Sequence, residues 1–255
     1  MQFTDTHSHL YDEAYGGEED LALERAINAG VDRIITPDID SQTRQSMFAL
    51  TDRHPSHLFP ALGLHPTSVN SGWKREIEEI EGYKDRKVWA IGEVGIDCYW
   101  SKEHIEEQKE VLRIMLRTAH EMSLPVIMHS RDAGDIILNV LKECRHLDLR
   151  GVFHAFSGSI ETYREIQKLG DWSVGIGGVL TFKKASIAET VKDIPLERIL
   201  LETDAPYLTP APHRGTRNES SYIPLIAQKL ADIKGISIEE VAEKTTANAE
   251  KLFGI

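Results

Sequence analysis

The sequence predicts an α/β protein folded as a (β/α)8 barrel of the TIM type, in a single domain over residues 1–255. Three observations carry that expectation. Eight short apolar runs alternate with stretches of helical period along 255 residues. No low-complexity tract, short repeat or Pro/Gly/Ser linker divides them. Metal-binding or titratable side chains recur near the ends of the apolar runs. Strands separated by helices imply a parallel sheet, because parallel strands need crossover connections, and eight such units in about 250 residues is the size of a closed barrel. A doubly wound open sheet is the runner-up, but the first strand–helix turn lacks G-x-G-x-x-G.

Taken in order, the first run is "QFTDTHSHL", which carries His7 and His9. In a strand, residues i and i+2 share a face, so the two imidazoles project side by side, above Asp5, and can grip one metal ion. Two solvated histidines on a polar strand end are the plain alternative. The second run is "RIITP", and the third, "LFPALGLH", ends in His65. The fourth, "VWAIGEVGID", carries Glu93; the fifth, "LPVIMHSR", brings His129 and then Arg131; the sixth, "GVFHAFSG", brings His154. The seventh, "WSVGIGG", ends in Gly177 and Gly178, which offer a close approach to a substrate backbone. The eighth, "ILLETDAPYL", carries Glu202 and Asp204, two residues apart and so both directed into the barrel.

Between the runs, Leu112, Met115, Ala119 and Met122 recur at helical steps, as do Ile137, Val140, Leu141 and Cys144, and Ile223, Ile226, Leu230 and Ile233. The final helix opens with a Ser/Glu capping pattern at Ser237 and Glu240.

Any one of the strand-end histidines, taken alone, reads as a structural residue. Their coincidence over five or six strands points elsewhere, since active sites of such barrels lie at the C-terminal ends of the strands. Burying these groups together is costly unless something compensates them, and a divalent ion does so. Four histidines and two carboxylates suffice for two ions with open positions, and a carboxylate is the usual bridge between ions about 3.5–4 Å apart.

The formal net charge of −12 disfavours a protein that coats duplex by neutralising phosphates. It leaves room for an anionic substrate held at one small point, where bound cations reverse the local sign. No apolar run approaches the roughly 18 residues of a membrane span, and "MQFTDTHSHL" lacks the features of a secretory signal. The two cysteines, Cys98 and Cys144, form no C-x-x-C or zinc-finger spacing, which fits a reduced, cytoplasmic setting.

The motifs "DTHSHL", "GLHP", "IGEVGID", "VIMHSRDA", "VFHAFSG", "LLETDAPYL", "RGTRNE" and "TTANAEKLFG" together resemble the TatD-type metal-dependent deoxyribonucleases of the amidohydrolase superfamily, in family order over nearly the whole chain. The resemblance implies that His7 and His9 bind one metal, Glu93 bridges two, and His129 and His154 complete the second. Asp204 would contact the metal of the H-x-H pair and act on the nucleophilic water as base. It further implies two divalent ions, with Mg2+ foremost and Mn2+ or Zn2+ as alternatives, and DNA as substrate, cut near a 3′ end in single-stranded or frayed form. Separately from the resemblance, a monomer is expected. The stretch "IDCYW" and the absence of a proline in "RNESSY" depart from the family pattern beside these ligands and bear on substrate fit.

Outside the ligands, His65 is expected to contact a substrate phosphate, orient a ligand or serve the structure. Glu202 is expected to back a ligand histidine. Arg131, Arg214 and Arg217 are expected to meet phosphate oxygens, with pairing to nearby acids as the alternative. Asn248 reads as a structural hydrogen-bonding residue. The same chemistry serves a carbonyl substrate, such as an aminoacyl-tRNA ester, an amide or a lactone, and fold does not decide between them. A non-catalytic, metal-stabilised binding protein is a third reading, which the complete ligand set with its base argues against.

Overall fold

The structure, a computed structural model, describes residues 1–255. Eight strands follow the eight apolar runs: β1 (Phe3–Asp5), β2 (Val31–Pro37), β3 (Leu58–Leu62), β4 (Ala90–Asp97), β5 (Val126–Arg131), β6 (Arg150–Phe153), β7 (Asp171–Ile176) and β8 (Ile199–Leu201). They lie in sequence order, each parallel to the next. Helices α1 (Glu19–Asn28), α2 (Ser41–Arg53), α3 (Trp73–Glu81), α4 (Ile105–Met122), α5 (Gly134–Glu143), α6 (Ile160–Gln167), α7 (Ile187–Asp193), α8 (Ile223–Lys234) and α9 (Ile238–Phe253) complete the barrel. The expected barrel is borne out.

Alternation along each strand divides the core in two. On β2, Ile34 packs in the layer between sheet and helices, whereas Ile35 joins Ala61, Ala90, Ile127, Val152 and Leu200, one residue from each of six strands. That convergence fills the barrel interior near the N-terminal ends of the strands, and Ala249 and Phe253 of α9 pack against it. The predicted periodic residues of α4, α5 and α8 face the outer layer: Leu112, Met115, Ile137, Val140, Ile223 and Ile226 are all buried. Ser237 Oγ accepts the Glu240 amide at 3.1 Å, opening α9 as the capping pattern predicts. Asn248 donates to the carbonyls of Leu196 and Ile199, tying α9 to β8.

Between β1 and β8 no strand ladder forms. The Thr6 amide donates to Leu201 O, the Asp204 amide to His7 O and the His9 amide to Ala205 O at 2.7–3.0 Å, and Ser8 forms a single parallel bridge with Ala205. β1 ends at Asp5 and β8 at Leu201, so His7, His9, Glu202 and Asp204 lie beyond the strands in which the sequence placed them. The extended course survives because residues 6–9 bond alternately to either side, with the Ser8 amide reaching back to Ile35 O at 3.0 Å.

Candidate metal centre

The barrel axis at the strand C-termini is occupied by imidazoles around one buried carboxylate. Glu93 Oε2 lies 3.0 Å from His7 Nε2 and 3.5 Å from His9 Nε2. Its Oε1 lies 2.6 Å from His129 Nδ1, 2.9 Å from His154 Nε2 and 3.3 Å from His65 Nε2. Asp204 Oδ1 stands 3.7 Å from both His7 Nε2 and His9 Nε2. The two oxygens of Glu93 thus address two different halves of the cluster.

The donor chemistry fits divalent cations. His7 Nε2 and His9 Nε2 face each other at 3.2 Å, close enough for both lone pairs to reach a single cation when neither nitrogen carries a proton. Each ring nitrogen of His129 faces a carboxylate, Nδ1 toward Glu93 and Nε2 toward Asp97 Oδ2 at 2.9 Å; both contacts are hydrogen bonds only if the ring carries two protons. A cation takes the place of such protons and uses the lone pairs directly. Donor atoms of His7, His9 and Asp204 lie within 4.8 Å of one another, as do those of His65, Glu93 and His129.

The protonation preferences of the all-protein cluster follow from burial and mutual charge. Burial drives His7 well below the ordinary imidazole range, and the neighbouring His154 adds to this. Burial also opposes ionisation of Glu93, but His154, His65 and His7 outweigh it and hold the carboxyl well below its usual value. Asp204 has less compensation, and burial raises it to about 6. Burial disfavours charge on Asp97 too, yet the hydrogen bonds from His129 and from the amides of Trp100 and Tyr99 hold it at about 2.

Supporting contacts fix the orientation of these side chains. Tyr11 donates its hydroxyl proton to Pro37 O at 2.5 Å, so its oxygen accepts His9 Nδ1–H at 3.1 Å; that tautomer leaves the His9 Nε2 lone pair facing the cluster. Asp5 lies beneath His7, accepting the amides of His7 and Thr203 and the Thr203 hydroxyl, and so joins the two sides of the seam. Glu202 Oε1 accepts the Ala155 amide at 2.6 Å and lies 3.6 Å from His154 Nδ1. Asp204 adopts a left-handed φ of 56°, a conformation Asp tolerates better than most residues. The i, i+2 spacing of Glu202 and Asp204 therefore serves two different surroundings, because a turn rather than a strand carries them.

The predicted rim residues separate. His65 Nδ1 accepts the Thr67 amide at 3.2 Å, which places the ring proton on Nε2 and makes His65 a donor toward Glu93. Arg131 borders a cavity of about 530 Å3 that His9, Glu93, His129, Asp204 and Trp100 also line. It also borders a smaller, more apolar cavity of about 220 Å3. Neither cavity is lined by Arg214 or Arg217. Arg214 stacks on Phe182, its guanidinium carbon 3.8 Å from the ring centroid. Arg217 is bound through its two terminal nitrogens to Glu18, Glu219 and the Ala14 carbonyl, the pairing to nearby acids that stood as the alternative to a phosphate contact. Gly178 also differs from expectation. A Cβ there would lie 2.1 Å from Leu208 O, so the close approach is made by the chain's own loop.

Sequence reasoning missed Asp97 and Tyr11. Asp97 closes "AIGEVGID" as a carboxylate after an apolar run, and Tyr11 extends H-x-H by two residues; both signals were present at the right period.

The family model described as TatD related DNase matches residues 4–254. The uncharacterized metal-dependent hydrolase YabD of Bacillus subtilis is 39% identical, with 98% of each chain covered. The uncharacterized metal-dependent hydrolase YjjV of Escherichia coli is 32% identical, over 100% of this chain and 98% of its own. The crystal structure of YJJV, described as a TatD homolog, superposes with a TM-score of 0.92 at 30% identity over 99% of this chain and 98% of that one. A hydrolase of the TatD family from Entamoeba histolytica superposes with a TM-score of 0.85 at 25% identity, over 99% of this chain and 98% of its own.

Proposed function

Because this chain belongs to the TatD-related DNase family of metal-dependent hydrolases, we propose that it hydrolyses DNA phosphodiesters, acting from single-stranded or frayed 3′ ends with two divalent cations. His7, His9 and Asp204 would hold one cation and His129 and His154 the other, with Glu93 placed between the two sets. Mg2+ or Mn2+ held there would supply a water of lowered pKa and positive charge against the phosphate.

The remaining work falls to the chain's own groups. Asp204 orients the attacking water and accepts its proton. His65 lines the same cavity, and its Nε2–H, which faces Glu93 at 3.3 Å in the all-protein cluster, becomes available to a phosphate oxygen once the Glu93 carboxylate is taken up by cations. Arg131 supplies the fixed positive charge that a phosphodiester requires.

The observation that carries this reading over carbonyl hydrolysis is Arg131. It shares one cavity with the cluster and forms no ion pair, so its charge is free for an anionic substrate. The test is a time course of metal-loaded protein with end-labelled single- and double-stranded DNA, RNA and an aminoacyl-tRNA. Stepwise shortening of single-stranded DNA from the 3′ end is the expected result. Turnover of the aminoacyl ester with intact DNA would overturn it.

A further inference from the structure

Four of the seven exposed large hydrophobic residues, Tyr99, Trp100, Tyr207 and Leu208, lie on the loops after β4 and β8 at the barrel mouth. Trp100 is 69% exposed and Tyr99 55%. Aromatic surface left in water beside a site is a binding feature until something covers it. The two rings meet edge to face, with centroids 5.0 Å apart. Arg131 lies over them, its guanidinium carbon 3.9 Å from the Tyr99 centroid and 5.4 Å from that of Trp100. Trp100 and Arg131 also line the cavity that contains Glu93, His129 and Asp204.

The pair is also tied to the cluster by one carboxylate. Asp97 Oδ1 accepts the amides of Tyr99 and Trp100 at 2.9 and 3.1 Å, while its Oδ2 holds His129 Nε2 at 2.9 Å. Loop and imidazole therefore share one anchor, and the aromatic pair is set at a fixed distance from the reacting centre. A flat π-surface beside an unpaired guanidinium is what an unstacked nucleobase and its phosphate need. In a chain of net charge −12, stacking also supplies affinity that long-range electrostatics does not.

We infer that Trp100, with Tyr99 and Arg131, is a stacking platform for a nucleobase of the strand whose phosphodiester lies at the cluster, so that Trp100 is a positioning residue for single-stranded substrate. This inference rests on the DNA-hydrolase reading above. The platform is tolerant of base identity, since every base has a π-face, and selects against duplex, whose bases are already stacked.

The experiment compares wild type, Trp100→Ala and Trp100→Phe on single-stranded oligothymidylates. Each oligonucleotide carries one abasic tetrahydrofuran residue at one of the last three positions of either end. Cleavage is followed in Mg2+, and binding by fluorescence anisotropy in the Asp204→Asn background. With intact oligonucleotide, Trp100→Ala should raise KM and the dissociation constant about 5- to 100-fold, with a much smaller change in kcat, and Trp100→Phe should recover most of the loss. One abasic position should impair wild type to a similar extent and leave Trp100→Ala indifferent, because the interaction is already gone. Equal abasic penalties in wild type and Trp100→Ala, or none in either, would overturn the platform while DNA cleavage itself continued. Absence of both DNA cleavage and DNA binding by wild type would overturn the parent reading, and the platform with it.

Discussion

Glu202 fits behind His154 because residue 175 is glycine: a Cβ at that position would stand 2.0 Å from Glu202 Oε2. The carboxylate fills the space a side chain on β7 would occupy. From there it accepts the Ala155 amide and faces His154 Nδ1.

Gly175→Ala should therefore damage the centre without touching a ligand. The displaced Glu202 would release Ala155, which holds a left-handed φ of 45°, and His154 would lose its orientation. Stability should fall by about 1–3 kcal/mol, the usual range for overpacking. Cation affinity should fall about 10- to 100-fold, as when the partner of a ligand histidine is removed. Thermal unfolding and Mn2+ titration calorimetry check the two effects. A variant with wild-type cation affinity would mean that Glu202 does not orient His154.

Tyr11→Phe isolates the tautomer argument. The ring still packs, but His9 Nδ1 loses its acceptor and Pro37 O its donor. The expected result is an affinity loss of about tenfold for one cation, with the second unaffected. Titration that resolves two binding steps reads this out, and uniform weakening of both steps would contradict it.

Asp204→Asn keeps the shape of the turn and removes the proton acceptor. Single-turnover cleavage at saturating Mg2+ or Mn2+ should slow by about 100-fold or more, with DNA affinity unchanged or improved. If full activity returned at high cation concentration, the role of Asp204 would be ligation alone. The variant also carries a pH prediction. Burial raises Asp204 to about 6, and a cation requires the ionised form, so protons compete with cations below that pH. Apparent cation affinity should drop by up to about tenfold per unit through this group as pH falls below 6. The Asn variant should lack that part of the slope.

Glu219 gives a stability prediction remote from the cluster. Burial pushes its carboxyl up, but hydrogen bonds from Arg25 and Arg217 outweigh burial and lower it below the ordinary glutamate value. A carboxylate depressed in the folded state contributes stability above its unfolded pKa, and that contribution is lost as pH falls through the folded one. Glu219→Gln should cost about 1–2 kcal/mol at neutral pH, a discounted value for a partly solvated network. It should cost little near pH 3. Urea denaturation at the two pH values measures the difference, and an equal loss at both would assign the effect to packing.

The strands and the convergence of six candidate ligands were legible because apolar runs and strand-end polar residues follow a simple period. His7, His9, Glu93, His129, His154 and Asp204 all reach the same few ångströms. The partners of surface arginines were not legible. Arg217 meets Glu18, about 200 residues away in sequence, and no local pattern encodes that meeting. The tautomers of His9 and His65 were likewise hidden, because each is set by an oxygen or amide that only the folded loops bring near. Gly178 looked like an opening for substrate since a sequence cannot reveal that Leu208 already lies against it.

The seam between the first and last strands gives the centre a schedule. Thr6 and Leu201 meet across 195 residues, and the same closure sets His7 and His9 against Asp204. The H-x-H pair is synthesised long before the opposing turn that carries Asp204, so the two sides of the seam are made far apart in time. Long-range pairings of this kind form late, since the loop must close before its contacts reward it. Until the seam closes, the ligand set of His7, His9 and Asp204 is incomplete, and cation capture by all three together reports that β1 and β8 have met.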